Sequence, residues 1–179
     1  MKSMLHLALA SALLVAAPAF AAPAASTTQS AAPAAAHVKA VQDLLGAMHA
    51  EYMMRGVAGR TRFPSEAQRK AVFAKLDKMP PAEIHQRLAA PVARVVSLDT
   101  ALEMTRFYNT PYGKQVIHNK YNSGVQVMLP GAKQGIAPEE KKERKRPAYV
   151  TASKELADAE PAIQSEAFKL LQAISNQAR

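Results

Sequence analysis

The chain contains no cysteine. A disulfide, a thiolate ligand for zinc and a cysteine nucleophile are therefore all excluded. An oxidising compartment is compatible with this composition but is not required by it. Strand signals are also scarce, because no stretch alternates apolar and polar residues between hairpin turns. These absences argue against a β fold and against chemistry that depends on a thiol.

Long apolar runs are confined to the N-terminus, where residues 4–17 are almost wholly apolar. Lys2 gives this segment a positive start, and residues 19–21 (Ala-Phe-Ala) form a small-x-small cleavage site. The pattern is typical of a secretory signal peptide and is too short for a membrane-spanning helix. We therefore expect cleavage after residue 21 and a periplasmic location. Because Ala22 rather than cysteine follows the site, we expect no lipid anchor.

Residues 22–36 contain only alanine, proline, serine, threonine and glutamine. Such a segment has too little side-chain surface to offset the entropy of ordering, so we expect a disordered linker. The remaining residues, 37–179, are enough for one domain with its own hydrophobic core. We therefore predict a signal peptide over 1–21, a linker over 22–36 and a single helical domain.

Apolar residues in this domain recur at three- and four-residue spacing, which is typical of amphipathic helices. We predict an all-α fold, a compact bundle of about five to seven short helices. The first helix is expected over 37–54, closed by Gly56 and Gly59, and the last helix is expected to open near Pro161.

Hydroxyl and proline residues mark the expected helix starts. Ser65 is predicted to cap one helix, with Gln68 completing a capping box, and Pro81 suits the first position of the next. A further helix is predicted to follow a cap at either Ser97 or Asp99 and to end near residue 108. The residues expected to face inward on that helix are Leu98, Ala101, Leu102, Thr105 and Tyr108.

The string FYNTPYGK, residues 107–114, is the most distinctive motif after the leader. With its flanks, over about 84–121, it resembles the domain-of-unknown-function 2059 family of exported bacterial proteins. The matching positions are Phe107, Tyr108, Thr110, Pro111 and Gly113. Gln115 stands where members of that family commonly have a basic residue. The resemblance implies a helical periplasmic domain and implies no particular activity.

The motif supports two interpretations. In the architectural one, the aromatic pair is buried at a helix end, Thr110 caps the next helix, and Gly113 permits close approach of a neighbouring backbone. In the other, Tyr108, Tyr112 and Tyr121 line a groove whose hydroxyls bind a sugar or a peptide.

Basic residues outnumber acidic ones, and the formal net charge is +9. Between positions 55 and 78 there are seven basic residues against Glu66 and Asp77. The candidate contacts to an anionic surface are Arg55, Arg60, Arg62, Arg69, Lys70, Lys75 and Lys78. Few aromatic residues are interleaved with them, which disfavours nucleic-acid binding. Contact with an anionic envelope surface and a simple solvated helix face are the two interpretations.

No catalytic or metal-binding pattern is present: the sequence has no HExxH, GxSxG, SxxK, Walker or dinucleotide motif. Asp99 and Glu103 share a helical face, but Arg106 follows, and a surface ion pair accounts for this trio. We therefore expect no cofactor, no metal and a non-catalytic binding or structural module of the cell envelope. The alternatives are an electrostatic binder of anionic envelope surfaces, and a hydrolase whose site combines Glu103, His118 and a tyrosine.

Overall fold

The computed structural model describes residues 33–122 and 137–177, and these residues form eight helices and no strand. The helices are α1 (Ala35–Ala47), α2 (Ala50–Arg60), α3 (Glu66–Lys78), α4 (Pro81–Val92), α5 (Leu98–Tyr108), α6 (Pro111–Asn122), α7 (Pro138–Glu143) and α8 (Pro147–Asn176). The predicted all-α bundle is confirmed. The predicted signal peptide and most of the predicted linker lie outside the described ranges. Residues 123–136 lie outside them as well.

Three of the predicted helix starts are confirmed. The Ser65 hydroxyl accepts from the Gln68 backbone N–H at 3.1 Å and caps α3. The Gln68 side chain, however, does not complete the expected capping box and instead donates to the Ser175 hydroxyl at 3.0 Å. Ser97, and not Asp99, caps α5, since its hydroxyl accepts from the Thr100 backbone N–H at 3.3 Å. Pro81 occupies the first turn of α4, where its missing N–H leaves no hydrogen bond unmade.

The predicted first helix is wrong in its extent, because the chain breaks at His49. The backbone of His49 is left-handed, with φ of 54°, and it separates α1 from α2. The helix then continues through Gly56 and Gly59 instead of ending there. The bend allows α1 to pack on α4 and α5 while α2 packs on α8. Val57, in the second half of α2, is buried, and this burial stabilises the helix beyond Gly56.

The predicted last helix is also longer than its sequence pattern indicates. α8 begins at Pro147 and runs for 30 residues with Pro161 in its interior. An interior proline removes one backbone hydrogen bond. Leu156 before the proline and Ile163 after it are both buried, so one continuous helix keeps both sides of Pro161 in the core. α8 contacts α2, α3, α4 and α5 and is the central element of the bundle.

The core lies between α1, α2, α4, α5 and α8. Its largest fully buried side chains are Leu44, Leu45, Met54, Leu88, Leu171 and Ile174. The predicted inward face of α5 is confirmed in part, since Ala101 is buried and Thr105 and Tyr108 are half-buried. It is wrong for Leu98 and Leu102, which are exposed, while Met104 and Phe107 are buried instead. Apolar residues occur on two faces of this helix, so spacing alone could not select the buried face. Within the described ranges, no helix has the length and apolar character needed to cross a membrane.

Candidate functional site

The FYNTPYGK motif forms the junction between α5 and α6. The Thr110 hydroxyl accepts a hydrogen bond from the Gly113 backbone N–H at 3.0 Å and donates one to the Phe107 carbonyl at 2.7 Å. Pro111 is the first residue of α6. One hydroxyl therefore serves both the start of α6 and the end of α5, which confirms the predicted cap at Thr110.

Gly113 is the point of closest backbone approach at this junction. A Cβ placed on it would lie 2.7 Å from the Phe107 carbonyl carbon and 2.7 Å from the Tyr108 Cα, and closer still to the Phe107 oxygen. Only glycine fits such a gap. The sequence-based expectation for Gly113 is thus confirmed, and the angle between α5 and α6 depends on it.

Phe107 is the centre of an aromatic cluster that the junction organises. Its side chain is buried. Its ring centroid lies 5.2 Å from that of Tyr108, 6.2 Å from that of Tyr112 and 4.8 Å from that of Tyr149 on α8. These spacings are those of favourable tilted and edge-to-face aromatic pairs. The cluster fixes the positions of the Tyr108, Tyr112 and Tyr149 side chains beside α6.

A cavity lies on each side of α6, which packs mainly on α5. The larger one, called here the tyrosine groove, occupies about 660 Å³ between α6 and the α1–α2 turn. We define it by His49, Tyr52, Tyr108, His118 and Tyr121, all of which line it. Asn109, Lys114, Gln115 and Asn122 add polar groups to its walls. Of the three tyrosines predicted to share a groove, Tyr108 and Tyr121 do so and Tyr112 does not.

The tyrosine groove contains a continuous row of rings. The His49 and Tyr52 rings are stacked with centroids 5.5 Å apart, and the Tyr52 and Tyr121 centroids are 5.6 Å apart. Tyr52 is 48% exposed, so much of this row is open to solvent. Burial raises the pKa of Tyr121 to about 12, with the carboxylates of Glu51 and Glu160 adding to the shift. Its hydroxyl therefore stays protonated and can donate a hydrogen bond at neutral pH.

Glu51 links the tyrosine groove to α4. Its carboxylate accepts from His49 Nδ1 at 2.9 Å and from His85 Nε2 on α4 at 2.9 Å. Burial alone would raise the pKa of Glu51, but the hydrogen bonds from His85, its own backbone and His49 hold it below the ordinary value. This bridge orients the His49 ring at the edge of the groove. Residue spacing does not predict this bridge, because the three residues come from two helices and a turn.

The smaller cavity, called here the aromatic cavity, occupies about 260 Å³ between α6 and α8. We define it by Phe107, Tyr108, Tyr112 and Tyr149, whose rings line it. Burial raises the pKa of Tyr108 to about 12, and the neighbouring Tyr149, Glu160 and Tyr121 contribute further. Tyr108 lines both cavities and is the partition between them.

The residues considered for a hydrolase are not brought together. Glu103 pairs with Arg106 at 2.8 Å and with Arg146 at 3.0 Å, at the contact between α5 and the segment joining α7 to α8. His118 lines the tyrosine groove, and Glu103 does not. The predicted ion pair between Glu103 and Arg106 is confirmed. Among the described residues, no group of three histidine or carboxylate side chains could hold a metal ion.

The seven basic residues between 55 and 78 lie on α2, α3 and the turn between them, and all but the half-buried Lys75 are exposed. Arg55 pairs with Asp77 at 2.6 Å, and Arg69 pairs with Glu66 at 2.8 Å. Lys75 donates to the side-chain oxygen of Gln177 at 3.5 Å. Over residues 33–122 and 137–177, no carboxylate is within ion-pair distance of the other four, which are Arg60, Arg62, Lys70 and Lys78.

Comparison with known proteins leaves the resemblance over 84–121 as a prediction. No family model matches the chain, and neither a curated protein nor a solved structure matches it.

Proposed function

We propose that this chain is an exported, non-catalytic module of the cell envelope that binds a glycan in the tyrosine groove. The observation that carries the proposal is the row of rings formed by His49, Tyr52 and Tyr121 in an open groove. A sugar presents an apolar C–H face and a rim of hydroxyls. Flat aromatic rings suit that face, because they bury apolar area while leaving the hydroxyls free.

The polar lining of the groove complements the hydroxyl rim. Asn109, Gln115 and Asn122 each offer an amide donor and acceptor, and the tyrosine hydroxyls can do both as well. Lys114 adds a cation, which would favour a glycan that carries carboxylates. The predicted export signal supports an envelope polysaccharide as the source of the ligand.

The geometry also supports binding over turnover. A hydrolytic site needs an acid and a base on opposite sides of one bond. Glu51 is the carboxylate nearest the row of rings, and its two oxygens are already engaged by His49 and His85. Among the described residues that line it, the groove thus offers a platform and hydrogen-bonding groups and no pair of carboxylates.

The test is binding of soluble wall oligosaccharides to the mature chain, measured by isothermal titration calorimetry. Tyr52→Ala removes the middle ring at an exposed position, and we expect at least about a tenfold loss of affinity. Phe168→Ala, which removes an exposed aromatic residue of α8 that does not line the groove, is the matched control. Equal affinity of wild type and Tyr52→Ala, or release of cleaved sugar, would overturn the proposal. N-terminal sequencing of the periplasmic form should begin at Ala22.

A second candidate function is electrostatic binding to an anionic envelope surface. It is favoured by Arg60, Arg62, Lys70 and Lys78, for which the described residues provide no carboxylate partner. We expect sedimentation with vesicles rich in phosphatidylglycerol but not with phosphatidylcholine vesicles, weakening as salt rises.

The matched variants for that experiment carry equal changes of charge. Arg60→Gln/Arg62→Gln/Lys70→Gln should lose vesicle binding. Lys141→Gln/Lys154→Gln/Lys169→Gln, on α7 and α8, should keep it. If both triple variants lose binding equally, net charge alone is responsible, and the basic segment is not a binding surface.

A further inference from the structure

We propose that the aromatic cavity is a separate binding site for a small organic cation that carries a quaternary ammonium group. The cavity is bounded by the rings of Phe107, Tyr108, Tyr112 and Tyr149, and it lies on the opposite side of α6 from the tyrosine groove. Faces of aromatic rings attract cations, and groups of such rings are the usual way that proteins recognise quaternary ammonium.

The charges at the cavity favour a cation over an anion. Glu140 and Glu160 both line it, against one lysine, Lys120. Lys120 pairs with Glu160 at 3.2 Å across the gap between α6 and α8. Glu140 accepts a hydrogen bond from the Tyr112 hydroxyl at 3.1 Å and also pairs with Arg144, which does not line the cavity. The cavity therefore faces two carboxylates and one ammonium, while the second balancing cation, Arg144, lies outside its lining.

The apolar walls favour a quaternary over a primary ammonium group. Met48, Met53, Met104, Leu156 and Ile163 form much of the remaining surface. Thioether sulfurs are weak acceptors, and the Glu140 and Glu160 carboxylates are already engaged by Tyr112, Arg144 and Lys120. A primary ammonium would therefore replace few of the hydrogen bonds that it makes to water. A quaternary ammonium has no N–H to satisfy. Its methyl groups can pack against methionine and aromatic side chains while the charge interacts with the rings.

The volume limits the ligand to a small molecule. An apolar cavity of about 150 Å³ accommodates benzene. The aromatic cavity, at about 260 Å³, has room for a trimethylammonium group and a short tail. The tail would meet the polar side chains of Ser153, Lys120 and Glu160, which also line the cavity. Choline has this size and this division between a methylated charge and a polar end.

The experiment compares choline with its neutral isostere, 3,3-dimethylbutan-1-ol, by isothermal titration calorimetry on the mature chain. The two molecules share shape and apolar area and differ in charge. We expect choline to bind about tenfold more tightly, a factor between the cation–π attraction of an exposed ring and that of a fully desolvated one. Equal affinities, or no heat of binding from either, would overturn the proposal.

Variants locate the site. Tyr149→Leu keeps an apolar side chain but removes a ring, and it should abolish the preference for choline over the isostere. Tyr112→Phe keeps the ring and should retain that preference. Phe168→Leu, on the exposed side of α8, is the control and should bind choline as the wild type does. If Tyr149→Leu keeps the full preference, the cation is not bound in this cavity.

This result is independent of the glycan-binding proposal, because Tyr149 does not line the tyrosine groove. A far-ultraviolet circular dichroism spectrum like that of the wild type shows that the Tyr149→Leu variant is folded. If the Tyr149→Leu variant does not fold, Glu160→Gln provides the test. The proposal requires that loss of this carboxylate lowers the affinity for choline and leaves the affinity for the isostere unchanged.

Discussion

Gly113 lies so close to Phe107 that the backbone of the α5–α6 junction has no room for a Cβ at this position. The contact joins the start of α6 to the residue on which the aromatic cluster is centred. Both cavities border α6, so their shapes depend on this one backbone contact.

We expect Gly113→Ala to destabilise the chain by at least about 2 kcal/mol, because the rigid Phe107 carbonyl cannot move aside as a side chain could. Gly59→Ala is the matched control: it lies in α2 with nothing within 4 Å of a Cβ. It should stabilise by about 0.5–1 kcal/mol through helix propensity. Urea denaturation measures both. A Gly113→Ala variant as stable as the wild type would contradict the geometry of the junction.

The buried face of α5 can be tested with two residues on the same helix. Met104→Ala should cost about 2–5 kcal/mol, because Met104 is 3% exposed in the core. Leu102→Ala should change the free energy of unfolding by less than about 0.5 kcal/mol, because Leu102 is 55% exposed. Chemical denaturation of the two variants distinguishes this face from the one that spacing predicts. The reverse ranking would mean that α5 is rotated.

Glu155 of α8 provides a test of pH dependence. Its carboxylate accepts from the Thr100 hydroxyl at 2.6 Å, from the Ser97 hydroxyl at 2.9 Å and from the Ser97 backbone N–H at 2.6 Å. Burial alone would raise the pKa of Glu155, but the hydrogen bonds from Thr100 and Ser97 hold it below the ordinary value of 4.5.

A lowered folded-state pKa means that the contribution of Glu155 is present above pH 4.5 and is lost as the pH falls through the folded pKa. Glu155→Gln should cost about 1–3 kcal/mol at neutral pH. The gap to the wild type should close as the solution is acidified, measured by denaturation at several pH values. Glu139→Gln, at an exposed site, is the control and should show no such gap. A constant gap at every pH would argue against an ionised Glu155.

Two half-buried tyrosines provide a test of pH dependence at alkaline pH. Burial raises the pKa of Tyr108 and of Tyr121 from 10.0 to about 12 in each case. Because the neutral phenol is favoured in the folded chain, this stability is present below pH 10 and is lost as the pH rises through 12. Absorbance of tyrosinate during titration should show these two ionising last. Tyr108→Phe and Tyr121→Phe should each remove one late step, and the loss of an early step would contradict the assignment.

The fold class and several helix starts could be predicted from the sequence, because each depends on residues close together in the chain. Ser65 caps α3 through Gln68, Ser97 caps α5 through Thr100, and Thr110 caps α6 through Gly113. Each is a contact between residues three apart, so the pattern of residue types records it directly. The close approach at Gly113 was predictable for the same reason.

The candidate site could be predicted only in part. Tyr108 and Tyr121 were expected to line a groove, and they do, but Tyr112 lies on the other side of α6. Tyr52 meets Tyr121 only because the start of α2 lies across the tyrosine groove from α6. Sequence spacing carries no information about such a meeting of distant helices.

By itself, then, the sequence determined that the chain forms helices and where most of them begin, since caps and apolar spacing act over a few residues. Only the tertiary structure decided that the chain turns at His49, that α8 continues through Pro161 and which face of α5 is buried. Each of these features has a local cost: a left-handed residue, a lost hydrogen bond and an exposed leucine, in that order. The burial of apolar side chains against helices far away in the chain outweighs that cost.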